Sequence, residues 1–86
     1  MTTLHIINHP SALDDCLLTF SQGDAVLLIG DGAYLQNNNQ CPSPAYSLEA
    51  DALARGLTEH GNFTFVNEDT FVDLVAEYHK SISWCQ

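Results

Sequence analysis

An uninterrupted apolar run at residues 25–29 is the feature that most constrains the fold of this 86-residue chain. The run, Ala-Val-Leu-Leu-Ile, lacks the alternation of polar and apolar side chains that a strand with one solvated face shows. It follows a predicted helix and ends abruptly at Gly30-Asp31-Gly32. A short apolar run in this setting is typical of a central strand of a parallel sheet, buried on both faces.

Strand-like and helix-like segments alternate along the rest of the chain. Strands are predicted at 3–7, 45–48 and 63–66, and the tail at 81–86 is predicted to add a short edge strand. The alternation predicts the α/β class. We therefore expect one small three-layer domain over residues 1–86, with a mostly parallel sheet of four to five strands flanked by helices.

The first predicted helix begins at Ser11, which is a suitable N-cap residue, and ends at Gly23. Its apolar residues follow the i, i+3, i+4, i+7 spacing of an amphipathic helix. This apolar stripe consists of Leu13, Cys16, Leu17 and Phe20.

Two further helices are predicted in the second half of the chain. One covers residues 49–55, and the other begins after Asn67 or Asp69 and has His79 and Lys80 in its last turn. The buried face of this last helix is predicted to consist of Phe71, Leu74, Val75 and Tyr78.

The charge balance excludes several classes of partner. Eleven acidic side chains oppose two basic ones, Arg55 and Lys80, for a formal charge of −9. Direct nucleic-acid binding needs clustered basic residues, and an anionic membrane surface needs the same, so neither is expected. The chain has no run of 18 apolar residues and no signal-peptide pattern at its N-terminus, so we expect a cytoplasmic protein.

The cysteines are the only nucleophiles to consider, because the chain has no Gly-x-Ser-x-Gly motif. Cys16 lies on the apolar stripe of the first helix, which favours a small buried side chain over a reactive thiol. Cys41 lies in a polar loop at 36–44 and is expected to be exposed, and Cys85 lies in a chain end that is expected to be mobile. An odd number of cysteines without a Cys-x-x-Cys pair suits a reducing compartment.

The carboxyl ends of the predicted strands offer a second set of candidates, because ligands of α/β sheets gather there. Asp31 and Gly32 form either a tight turn, which we favour, or a close backbone approach to a ligand. Trp84 either folds back on its own sheet or docks into another subunit. His5 and His9 lie on a strand and a turn and do not converge on a metal, so no metal and no cofactor is expected.

The order and spacing of these pieces resemble the TusB/DsrH family of sulfur-relay proteins over nearly the whole chain. The segments that carry the resemblance are Leu4-His5, the helix with Cys16, the turn Ser21-Gln22-Gly23-Asp24, the strand exit Asp31-Gly32, Tyr46-Ser47-Leu48, Leu53-Ala54-Arg55-Gly56-Leu57, Phe71-Val72-Asp73-Leu74 and Trp84.

The resemblance implies a subunit of a heterohexamer with TusC/DsrF-like and TusD/DsrE-like partners. Such complexes pass persulfide sulfur between upstream and downstream sulfur-carrier proteins, for 2-thiolation of the tRNA wobble uridine or for DsrEFH-type sulfur transfer. The principal sulfur-carrying cysteine of the family belongs to a partner subunit. Cys16 matches the position of a cysteine in DsrH-type members, whereas Cys41 and Cys85 match no family motif.

Two roles are open under this resemblance. Cys16 is either a covalent persulfide carrier, or the chain is a non-catalytic or accessory scaffold that completes the complex. We favour the scaffold because no residue near Cys16 in the sequence activates it. The alternative function is a free-standing, self-associating α/β module that binds a ligand at the strand edge formed by Asp31 and Gly32.

Overall fold

The computed structural model describes residues 2–59 and 63–84, which form a five-stranded parallel sheet. The strands lie in the order β4-β3-β2-β1-β5, and every neighbouring pair is parallel. The predicted α/β class and edge strand are therefore confirmed. The strands are β1 (Thr3–Ile7), β2 (Ala25–Leu28), β3 (Ala45–Leu48), β4 (Phe63–Val66) and β5 (Lys80–Trp84).

Helical segments connect the strands and cover both faces of the sheet. From β1 to β4 each strand lies beside its predecessor in one direction, and the chain then crosses the whole sheet to β5. Because parallel crossovers are right-handed, the reversal puts the last helix on the opposite face from the others. The helices are α1 (Leu13–Thr19), α2 (Glu49–Ala54), α3 (Glu68–Glu77) and two 3₁₀ helices, Pro10–Ala12 and Gly30–Asn37.

The core consists of two apolar clusters, one on each face of the sheet. Val26 and Leu28 of β2 pack with Leu13 of α1, whereas Leu27 of the same strand packs with Leu74 of α3. All four residues of β2 are buried, as the apolar run predicted. No helix among residues 2–59 and 63–84 is both long and apolar enough to cross a membrane.

The first helix differs from the prediction at both ends. Ser11 lies in the first 3₁₀ helix, and Ala12 is the N-cap of α1. The backbone N–H and the hydroxyl of Ser11 both contact Nδ1 of His9, at 3.2 and 2.8 Å. The helix ends at Thr19, and Gly23, with a φ of +93°, lies in the turn that leads to β2.

The last helix also ends earlier than predicted. It stops at Glu77, so His79 follows it and Lys80 is the first residue of β5, because pairing with β1 draws this segment into the sheet. Leu17 and Val75, which were assigned to buried helix faces, are each 37% exposed. The N-cap of α3 is confirmed as Asn67, whose side-chain oxygen accepts the N–H of Thr70 at 2.8 Å.

Gly32 lies where a backbone approaches another too closely for any side chain. It lies in the second 3₁₀ helix, directly after β2, and a Cβ atom on it would overlap the carbonyl oxygen of Ile7 at the end of β1. The same carbonyl accepts the N–H of Ile29 at 3.0 Å. The exit from the central strand is therefore a packing contact within the chain.

Substituting Gly32→Ala is expected to lower the free energy of unfolding by about 3 kcal/mol, because the new methyl group must displace the backbone of β1. Gly56→Ala is the matched control: Gly56 has a φ of +75° but open space around its Cβ position, so the cost is about 1 kcal/mol from the left-handed backbone alone. Urea denaturation of both variants measures the difference. Equal losses would contradict the close approach.

Candidate active and binding residues

The carboxylate of Asp24 is the centre of a buried hydrogen-bond network. Its Oδ1 accepts the backbone N–H of Thr3 at 2.9 Å, and its Oδ2 accepts the N–H of Ser21 and the Nε2–H of His5, each at 2.9 Å. Asp24 is 3% exposed and His5 is fully buried. One side chain thus joins the first residue of β1, the turn after α1, and the middle of β1.

The tautomer of His5 follows from its two hydrogen-bond partners. The indole Nε1–H of Trp84 donates to Nδ1 of His5 at 3.0 Å, and because an indole only donates, Nδ1 must be the acceptor. A neutral His5 then carries its proton on Nε2, which faces Asp24. These hydrogen bonds therefore connect the residue before β2, the middle of β1 and the end of β5. Trp84 thus lies against the sheet of its own chain.

The network sets the charge state of Asp24. Burial raises the pKa of this carboxyl, but the hydrogen bonds from His5, Ser21 and Thr3 outweigh that cost and leave the pKa below its usual value. The carboxylate is consequently ionised at neutral pH, although Asp24 is only 3% exposed.

Cys16 is fully buried in the cluster between α1 and the sheet. Burial raises the pKa of its thiol to about 11, and the negative charge of Asp24 contributes to the increase. A thiol with this pKa is almost entirely protonated at neutral pH, and the thiolate is the nucleophilic form. The arrangement is that of a core side chain, as the apolar stripe predicted.

Cys41 is less exposed than predicted. Residues 36 and 37 of the predicted polar loop belong to the second 3₁₀ helix, so the observed loop covers only residues 38–44. In this loop, Cys41 packs against the apolar cluster that contains Cys16. Burial raises the pKa of Cys41 to about 12, and the charge of Cys16 contributes to the increase. Cys85 lies outside the described residues.

Asp31 and Gly32 are engaged by the chain itself. Oδ1 of Asp31 accepts the Nε–H of Arg55 at 2.9 Å, and Arg55 also donates to the carbonyl oxygen of Asp51 at 2.9 Å. Oδ2 of Asp51 accepts the N–H of Gly30 at 2.7 Å. This strand edge therefore fastens α2 to the exit from β2.

A cavity of about 290 Å³ lies at the opposite end of the sheet, at the amino ends of β1 and β5. Its polar lining consists of hydroxyl side chains, the edge of the Asp24 network and one ammonium group, that of Lys80. The full lining is Thr3, Thr19, Ser21, Asp24, Lys80 and Ile82. The sequence interpretation considered only the carboxyl ends of the strands and did not find this cavity.

His5 and His9 do not share a site. His5 is bonded to Asp24 and Trp84, whereas Nδ1 of His9 contacts Ser11 in the first 3₁₀ helix. Within residues 2–59 and 63–84, no three His, Cys, Asp or Glu side chains lie close enough together to hold a metal ion.

Comparison with known proteins decides the family. A sequence model of the family described as DsrH like protein matches residues 8–81. The chain belongs to the DsrH family. The family resemblance found from the residues alone is thereby confirmed.

Curated relatives of this DsrH family member are proteins named TusB. The chain is 30% identical to Protein TusB of Pectobacterium carotovorum subsp. carotovorum (strain PC1) over 92 residues, which cover 95% of this chain and 97% of the relative. It is 29% identical to Protein TusB of Escherichia coli (strain K12) over 94% of this chain and 99% of the relative.

A solved structure shows the same fold. The solution NMR structure of protein Tm0979 from Thermotoga maritima matches with a TM-score of 0.64 and 21% sequence identity, and it covers 88% of this chain and 92% of that chain. At this identity the match establishes the architecture of the sheet and its helices.

The Asp24 network was missed because its members are distant in sequence. Asp24 and His5 are 19 positions apart, and His5 and Trp84 are 79 apart. The available signal was a histidine at the centre of an otherwise apolar strand, together with an aspartate directly before the buried strand β2. Both are buried polar residues, which require partners.

Substituting Asp24→Asn is expected to lower the free energy of unfolding by about 3 kcal/mol, because an amide is unable to accept all three hydrogen bonds that the carboxylate accepts. Asp73→Asn, at an exposed position on α3, is the control and is expected to change little. Since the folded-state pKa of Asp24 lies below 3.8, its contribution is complete well above that pH and is lost as the pH falls further. The difference between wild type and variant should therefore shrink in acid, and a constant difference would contradict this account.

Proposed function

We propose that this chain is a non-catalytic scaffold subunit of a cytoplasmic sulfur-relay complex that serves 2-thiolation of the tRNA wobble uridine. In this proposal it assembles with TusC/DsrF-like and TusD/DsrE-like subunits, which exchange persulfide sulfur with upstream and downstream carrier proteins. The chain belongs to the DsrH family, and the resemblance to this family is what implied the role. The similarity to proteins named TusB supports the tRNA branch over the DsrEFH branch.

The state of Cys16 is the observation that carries the scaffold role. A sulfur carrier must expose a thiolate to the persulfide of its donor, and this thiol is 0% exposed with a pKa raised to about 11. The negative charge of the Asp24 carboxylate raises the pKa of this thiol further. In the proposal, the sulfur-carrying cysteine therefore belongs to a partner subunit.

Exposed apolar side chains on the helices support an assembly with partner subunits. Leu18 of α1 is 87% exposed and lies next to Leu17, while Leu53 of α2 and Val72 of α3 are 55% and 64% exposed. A chain this small has little core of its own, so covering such residues in a complex would stabilise it.

The charge of the chain supports protein, and not tRNA, as its direct partner. The chain carries a formal charge of −9, and one of its two basic side chains, Arg55, is paired with Asp31. Contacts to tRNA would have to replace phosphate counterions with clustered basic groups. In the proposal, tRNA is therefore bound by a separate thiolating enzyme.

Replacing Cys16→Ala in the reconstituted complex is expected to leave sulfur transfer to tRNA within about twofold of wild type, because a scaffold contributes no group to the transfer. Complex formation is measured in parallel by size-exclusion chromatography, so that a loss of assembly is separated from a loss of chemistry. Loss of transfer in a fully assembled variant complex would overturn the scaffold role.

Replacing Leu18→Gln is expected to weaken assembly with the partner subunits about tenfold or more, because burial of a leucine side chain contributes about 2 kcal/mol. The isolated variant should unfold at the same urea concentration as wild type, since Leu18 is exposed in the free chain. Asp15→Asn, a polar exchange on the same helix, is the control. Unchanged affinity of Leu18→Gln would exclude this face of α1 from the partner interface.

A further inference from the structure

We propose that the outer edge of β5 pairs with β5 of a second copy of this chain, so that the two sheets join edge to edge across a twofold axis. This pairing goes beyond the scaffold role and does not depend on it, because it concerns contacts between copies of the same chain. β5 is the last strand on its side of the sheet, and its neighbour within the chain is β1.

The backbone of β5 presents two serines to the outside of the sheet. The N–H of Lys80, at the start of β5, donates to a carbonyl oxygen just before β1, and the carbonyl oxygen of Trp84, at its end, accepts an N–H just after β1, each at 3.3 Å. Lys80 and Trp84 therefore direct their backbone groups towards β1. Because this direction alternates along a strand, Ser81 and Ser83 direct their N–H and C=O groups away from β1. Both serines are exposed.

The opposite edge of the sheet is partly closed by the chain itself. The N–H of Phe65 in β4 donates to Oε2 of Glu59 at 2.7 Å, so a side chain already occupies this edge position. In the part of the chain that the structure describes, no side chain bonds to the N–H of Ser81 or Ser83. An unpaired strand edge is a template for another strand, and β5 is the edge that remains open in this way.

β5 is complementary to itself in one antiparallel register. With Ile82 opposite Ile82 of the other copy, Ser81 lies opposite Ser83, and the outward N–H and C=O groups of both serines are paired. The same register places Lys80 of one copy opposite Trp84 of the other, where an ammonium group and an indole attract each other. A shift by one residue puts outward-facing residues opposite inward-facing ones, so the hydrogen bonds are lost.

The charge of the chain restricts where two copies can meet. Each copy carries a formal charge of −9, so repulsion opposes contact between acidic surfaces. β5 contains no acidic residue and begins with Lys80. Arg55 is paired with Asp31, whereas Lys80 makes no salt bridge within residues 2–59 and 63–84. The ammonium group of Lys80 is therefore free to contact the other copy.

The edge is extended and fixed before it is paired. The register with β1 covers all of β5, and the indole of Trp84 donates to Nδ1 of the fully buried His5 at 3.0 Å. A strand held in this way loses little conformational freedom when a partner binds. Ile82 and Trp84 are only partly buried in the single chain, so pairing removes further apolar surface from water.

Removing one outward N–H tests the pairing. Ser83→Pro deletes this donor but leaves the ladder with β1 intact, because the N–H faces away from β1. Ser83→Ala is the matched control, since it keeps the backbone N–H. Self-association of the full chain is measured by sedimentation equilibrium at up to about 0.3 mM protein, because a small edge-to-edge contact gives a weak dimer. The buffer contains about 0.3 M salt, which screens the repulsion between acidic copies.

Wild type and Ser83→Ala are expected to form dimers whose dissociation constants agree within about twofold, because both retain every backbone hydrogen bond. Ser83→Pro is expected to raise the dissociation constant about tenfold or more, because the twofold axis makes one substitution remove a hydrogen bond on each side. A wild-type chain that stays monomeric, or a dimer that a folded Ser83→Pro variant leaves unchanged, would overturn the proposal.

A cross-link tests the register independently, including the case in which Ser83→Pro fails to fold. Ile82→Cys, combined with Cys85→Ser, places two thiols opposite each other at the twofold axis. Their Cα atoms would be about 4.5 Å apart, a separation that a disulfide spans. Thr64→Cys, at an exposed position on β4, is the matched control in the same background.

Oxidised glutathione is expected to link the Ile82→Cys variant into a dimer about tenfold or more faster than the Thr64→Cys variant, because pairing raises the effective concentration of the two thiols. Each rate is divided by the rate at which iodoacetamide alkylates the same thiol, so that a difference in exposure is removed. Equal corrected rates would contradict pairing through β5.

Discussion

The ionised carboxylate of Asp24 is the interaction on which the rest of the structure depends. It lies between β1 and the turn that begins β2, and it accepts hydrogen bonds from two backbone N–H groups and one imidazole while it is almost fully buried. A buried charge is tolerated only when it is fully hydrogen-bonded, and removing one partner leaves the others unsatisfied. The start of the sheet is therefore held by a polar contact in addition to the apolar packing of Leu4 and Ala25.

The same contact determines how the edge of the sheet is held. His5 connects Asp24 to Trp84, because its Nε2–H donates to the carboxylate and its Nδ1 accepts the indole N–H. The chain crosses the whole sheet before it forms β5, which pairs with β1. Even the most buried residues of this strand, Ile82 and Trp84, are only partly buried. A single hydrogen bond to a fully buried histidine thus supplements the backbone ladder that holds this strand.

Much of the fold could be predicted from the sequence, because local patterns encode it. The apolar run that became β2 and the alternation of segments were sufficient for the α/β class and the edge strand. The end of α3 was misplaced because pairing with β1 overrides the helical preference of residues near Lys80. The expectation of an exposed Cys41 failed for a related reason: loop composition does not reveal that the loop folds back on the core.

The candidate site was predicted less completely than the fold. Cys16 was assigned to the core by its spacing, and the structure places it there. The Asp24 network and the cavity beside Lys80 arise from contacts between residues that are far apart in sequence, so local patterns indicate buried polar residues but not which of them are partners. Asp31 and Gly32 were found by their position after β2, but the structure uses them to fasten α2 and β1.

A buried, protonated thiol and exposed apolar helix residues together support the proposal that the chain shapes a complex without transferring sulfur itself. Locating persulfide sulfur in the assembled complex tests this claim most directly. The complex is loaded by a sulfurtransferase with its donor, and the extra sulfur is located by mass spectrometry after digestion before aspartate, which separates Cys16 from Cys41. The account predicts persulfide on a partner subunit and none on Cys16. Persulfide on Cys16 that disappears when an acceptor is added would contradict it.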